Sequence, residues 1–122
     1  KNMKNIFILG IIILLIDSIY LYGFSNFFND MVKDIQNSEI KLKYTGAIAC
    51  YIVMVLGLKY FILDEKKTVK DAFLLGLLIY SVFEFTNYAI LDNWNLKAVI
   101  LDSTWGGILF ALTTYIYYNV TD

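Results

Sequence analysis

Four apolar stretches of about twenty residues each run through this 122-residue chain, with short polar segments between them. A helix of roughly 20 mostly apolar residues is long enough to cross the hydrocarbon core of a bilayer. In that core a helix satisfies its own backbone N–H and C=O groups, which lipid cannot do. The pattern therefore predicts an all-α, polytopic membrane protein with four transmembrane helices. The expected spans are 5–23, 44–63, 70–91 and 96–118, forming a single membrane-embedded domain over 1–122. The connections 64–69 and 92–95 are so short that the helices they join must run antiparallel.

The connection 24–43 is longer and carries a pattern of its own. Phe24, Phe27, Phe28, Met31 and Ile35 recur at helical spacing, with Asn29, Asp30, Lys33 and Asp34 on the opposite face. That pattern predicts an interfacial amphipathic helix between the first two spans. Lys1 and Lys4 ahead of the run 6–16 give the first span the outline of a signal peptide. Asp17 interrupts it and no small-residue cleavage site follows, so a retained helix is expected. Lys1, Lys4, Lys59, Lys66, Lys67 and Lys70 fall on one side of the predicted membrane, and Lys33, Lys41, Lys43 and Lys97 on the other. The lysine-richer side is expected to be cytoplasmic, with both termini there. On that reading the sequon Asn119-Val120-Thr121 is silent.

Composition removes several function classes. Net charge is −1, which gives no general attraction to nucleic acid. All ten basic residues are lysines, so bidentate guanidinium clamps for phosphate are absent. The chain has no histidine, which excludes Ser-His-Asp and Cys-His nucleophile systems. The one cysteine, Cys50, cannot form an internal disulfide or a thiolate zinc site. Proline is absent, so no span is broken by it. No phosphate-binding glycine loop, repeat or low-complexity linker is present.

Against this background three acids stand out, because each lies within an apolar span. An ionisable group in hydrocarbon costs on the order of 2.5–3.5 kcal/mol by insertion scales, and such residues mark ion or proton pathways. Asp17 lies six residues from the end of its span at Gly23, Glu84 seven from Leu91 and Asp102 six from Leu96. At the helical rise these distances place all three roughly 9–11 Å below the same membrane surface. Cys50 and Tyr51 fall near that level in the second span. Tyr80, Glu84, Asn87 and Leu91 share one helix face, as do Asp102 and Trp105. Gly106 and Gly107 permit close helix approach. Trp94 is expected at the membrane interface, where indole is favoured. The candidate binding site is therefore Asp17, Tyr51, Tyr80, Glu84, Asn87, Asp102 and Trp105, lining a cavity open to the outer face. No lysine is placed to neutralise the acids, which leaves a shared proton or a bound cation. A plainer reading has neutral carboxyls tying helices together by hydrogen bonds to Tyr, Asn, Ser or Thr, at about 0.6–2 kcal/mol each.

The run Tyr80-Ser-Val-Phe-Glu84-Phe-Thr86-Asn87-Tyr-Ala89-Ile-Leu91-Asp-Asn-Trp94, followed by Asp102-Ser-Thr-Trp105-Gly106-Gly-Ile-Leu109, resembles a known family. It is similar to the small integral membrane proteins of domain-of-unknown-function family 2177. Their pattern has an acid before Thr-Asn, then Ala, Leu and Trp, then Asp, Trp and Gly in the last helix. Asp17 with Tyr20 fits the family's first helix. Glu84 departs from it, standing where the family usually has Asp. The resemblance implies a four-helix membrane protein and no particular activity.

Three functions are compatible with these features. The leading one is binding or translocation of protons, cations or a small polar solute, as an oligomer because four short helices rarely enclose a pore. A structural or assembly role follows, whose acids only specify packing. Least favoured is a membrane-embedded lipid-modifying enzyme, because the acids come singly and form no D-x-x-D or D-x-x-x-D cluster. The expected partners are the lipid bilayer and other membrane proteins, including copies of the chain. No cofactor, catalytic residue or particular metal is expected, and nucleic acid is not a partner.

Overall fold

A computed structural model describes residues 3–121. It contains α1 (Met3–Gly23), α2 (Ser25–Gln36), α3 (Tyr44–Leu58), α4 (Val69–Ile90) and α5 (Leu96–Thr121). A π-helical turn, Lys59–Leu63, continues α3. The described residues contain no strand. Four helical stretches are long and apolar enough to cross a membrane: Lys4–Gly23, Tyr44–Leu63, Val69–Ile90 and Leu96–Thr121. They match the expected spans to within a few residues, and α5 runs three residues past its expected end.

Local chemistry explains the helix ends. Thr68 and Asp71 form a capping box at the start of α4: the Thr68 hydroxyl accepts from the Asp71 N–H at 3.1 Å, and the Asp71 carboxylate accepts from the Thr68 N–H at 3.5 Å. That pairing satisfies two of the donors every helix N-terminus leaves open. The Asn95 amide oxygen accepts from the Ala98 N–H at 2.7 Å and caps α5 in the same way. Asn37 ends α2 in the left-handed region, at φ 62°. A short polar side chain tolerates that region better than most.

α5 holds the bundle together, packing against α4 and α1, while α3 lies against α1. The α4–α5 contact is the tightest, because small residues let the backbones meet. A Cβ added at Gly76 would fall 2.1 Å from the Gly106 carbonyl oxygen. One added at Gly106 would fall 2.2 Å from the Tyr80 ring. The apolar core beneath is built from Leu9, Ile13, Leu58, Ile62, Leu109 and Phe110.

α2 confirms the amphipathic pattern. Met31 is buried, and Phe27, Phe28 and Ile35 are half-buried. Asp30, Lys33 and Asp34 face outward. The helix folds back over the end of the bundle where the α4–α5 connection lies. Phe28 and Phe24 pack against Tyr20, at ring separations of 6.2 and 5.1 Å. The Asn93 amide donates to the Asp34 carbonyl at 3.5 Å, and the Lys97 ammonium sits 5.8 Å from the Phe27 ring centre.

Candidate functional site

Helical spacing puts the polar side chains of this bundle end on facing surfaces. Asp17 and Tyr20 are three apart on α1, and Asp102 and Trp105 are three apart on α5. α1 and α5 run antiparallel, so the two pairs meet crosswise. The Tyr20 hydroxyl donates to Asp102 Oδ1 at 3.0 Å, and the Trp105 indole donates to Asp17 Oδ1 at 2.8 Å. The Tyr20 and Trp105 rings stack at 4.5 Å with 3° between their planes. The Tyr51 hydroxyl on α3 donates to Asp17 Oδ2. From the far side, Trp94 in the α4–α5 connection donates to Glu84 Oε1 at 2.9 Å. The Glu84 carboxyl in turn lies close to that of Asp102.

The result is one polar layer across the bundle, built as two arms. One arm runs Trp94, Glu84, Asp102, Tyr20. The other runs Trp105, Asp17, Tyr51. The stacked rings of Tyr20 and Trp105 join them. Glu84 is 1% exposed and Asp17 5%, so water reaches neither carboxyl freely; Asp102 is half-buried. Among the described residues no lysine pairs with any of the three acids. The ion pair between Lys59 and Asp64, at 3.0 Å, lies at the opposite end of the bundle. A carboxylate only accepts hydrogen bonds. Glu84 and Asp102 can therefore hydrogen-bond to each other only when one of the two carries a proton. No group of three or more acids or cysteines among the described residues is arranged to hold a metal ion.

Five of the seven residues singled out in the sequence enter the layer: Asp17, Tyr51, Glu84, Asp102 and Trp105. Tyr80 and Asn87 do not bond to it. The Tyr80 ring covers Gly106, and its hydroxyl points to the Met54 sulfur at 3.6 Å. Asn87 is half-buried on α4 and makes no side-chain hydrogen bond among the described residues. Two further participants, Trp94 and Tyr20, lay outside the candidate site although both fall in the family-like motifs. Trp94 turns its indole onto Glu84. Tyr20 lies one turn beyond Asp17, and that spacing, together with the family's first-helix pattern, was the signal for it. One cleft reaches the layer sideways. It is about 490 Å³, lies between α1 and α3, and has apolar walls including Gly10, Leu14, Ala47 and Val55, with Tyr51 at its edge.

Four apolar helices with buried, hydrogen-bonded acids define a small polytopic membrane protein, its polar layer held among the helices. The chain matches the family described as predicted membrane protein DUF2177 over residues 2–119, and it belongs to that family. No curated protein and no solved structure matched it.

Proposed function

We propose that the chain binds and relays protons through its acid layer, working as an oligomer. The closeness of the Glu84 and Asp102 carboxyls, with no basic side chain among the described residues to neutralise them, carries this reading. Two acids that lie close in an apolar setting share a proton more readily than they hold two charges. Tyr20 and Tyr51 extend the pair with hydroxyls that both donate and accept. A proton fits the layer better than a multivalent cation, because the three acids do not converge on one point. Oligomerisation would supply the remainder of a pathway that four helices cannot enclose.

The test is flux into liposomes containing the purified protein, driven by a pH gradient and by a potassium diffusion potential. Wild-type protein is expected to dissipate the gradient faster than protein-free liposomes. Asp102→Asn and Glu84→Gln are expected to remove that excess while leaving the fold stable, since each amide keeps a hydrogen bond but carries no titratable proton. Wild-type flux equal to the protein-free control, for protons and for several cations, would sink the proposal.

A second reading rests on the donors. Tyr20, Tyr51, Trp94 and Trp105 each give one hydrogen bond to an acid. That arrangement suits a layer that serves only to specify helix packing, in a structural or assembly protein. On this reading the two amide variants would retain every cellular property of the wild type.

A further inference from the structure

The acid layer is not the only place where polar groups enter the bundle. At the other end, near the described ends of the chain, a cleft of about 390 Å³ is lined by Leu63, Lys66, Tyr117, Tyr118 and Thr121, among others. One helical turn deeper on α5, Thr113 and Thr114 precede Tyr117 and Tyr118 by four residues and so lie on the same faces. Both threonines are 0% exposed, and neither hydroxyl has a hydrogen-bond partner among the described residues. Leaving a buried hydroxyl unpaired is costly. Buried polar groups of this kind are commonly met by ordered water.

The helix opposite is widened at the same level. The π turn after α3 bonds the Asp64 N–H to the Lys59 carbonyl at 2.8 Å, five residues back, and contributes Leu63 to the cleft. The Lys67 N–H reaches back five residues in the same way, to the Ile62 carbonyl at 2.9 Å. Such turns occur frequently at functional sites, since they open the helix surface by one residue. Above the threonines the packing is apolar: Leu58, Leu109 and Phe110 are 0% exposed, and Leu109 and Phe110 lie between Thr113 and Asp102 along α5. Thr113 lies eleven positions along α5 from Asp102, about 16 Å.

We propose that Thr113 and Thr114 bind water at the head of a half-channel that enters through this cleft and stops at Leu109 and Phe110. That the half-channel delivers or removes protons for the acid layer rests on the function proposed above; the water site itself does not.

Accessibility to a membrane-impermeant thiol reagent tests it without reference to transport. The background is Cys50→Ala, and single cysteines are placed at Thr113, Thr114, Leu109, Thr121 and Asn93. In liposomes of mixed orientation, external labelling of T121C reports the fraction of molecules with this end outward, and labelling of N93C reports the complement. T113C and T114C are expected to label to the T121C fraction and L109C to remain unlabelled. Threonines as unreactive as L109C, or labelling with the N93C fraction, would overturn the half-channel.

Stability supplies a second measurement. A dry, unpaired hydroxyl makes Thr→Val stabilising, whereas a hydroxyl bound to water makes it neutral or destabilising. T113V and T114V are therefore expected not to raise the unfolding midpoint in detergent, and a rise for both would also overturn the proposal. Accessible threonines in a protein that carries no flux would leave the water site standing and reject only its role in proton movement.

Discussion

A phenol and an indole do at Asp17 what a lysine or an arginine would do elsewhere. Tyr51 and Trp105 each give one hydrogen bond to a carboxyl that is 5% exposed. Neither donor brings a charge, so the desolvation cost of a second ion is avoided. Removing either leaves a buried acceptor unmet, at about 1–3 kcal/mol. Tyr51→Phe is expected to lower stability by that amount in detergent unfolding, as is Tyr20→Phe, which strips the Asp102 donor. Trp94→Phe keeps the aromatic bulk but loses the bond to Glu84, and a similar loss is expected. Phenylalanine at Tyr80 should be nearly silent, because its hydroxyl meets only the Met54 sulfur. Equal effects at Tyr51 and Tyr80 would contradict the assignment of partners.

Glycines set the helix geometry, but unequally. Gly76 and Gly106 are in backbone contact across α4 and α5, and a methyl at Gly76 would collide with a carbonyl oxygen that cannot move aside. Gly10 on α1 has open space around its Cα. Gly76→Ala should therefore cost at least the 1–3 kcal/mol typical of overpacking. Gly10→Ala should be neutral or gain up to about 1 kcal/mol from the lower helix cost of alanine. Reversible unfolding in mixed detergent micelles separates the two, and similar midpoints would refute the close approach. The same scale shows where sequence reading worked. The apolar face of α2 was legible because Phe24, Phe27, Phe28, Met31 and Ile35 repeat with the helix. The turn of Trp94 onto Glu84 was not, since its side-chain direction depends on how α4 and α5 meet.

For the whole molecule, the expected topology has a direct check. Lys41 and Lys67 flank opposite ends of the span Tyr44–Leu63. Cysteines at the two positions should label from opposite sides of the membrane, and labelling of both from one side would remove that span from the bilayer. If the lysine bias sets orientation, position 67 lies on the cytoplasmic side.

The number of helices, their lengths and their antiparallel order followed from the sequence alone. Lipid leaves a chain no other way to satisfy its backbone, and short connections leave no other way to join the spans. The shared depth of Asp17, Glu84 and Asp102 followed as well, because the rise per residue converts position into height. What remained open was rotation about each helix axis and the distance between axes. Tertiary packing decided those. Gly76 against Gly106 sets the α4–α5 distance, and that pairing lets Glu84 lie close to Asp102. The crosswise meeting of α1 and α5 gives Asp17 to Trp105 and Tyr20 to Asp102. Such pairings depend on side chains far apart in the chain, and no local periodicity records them.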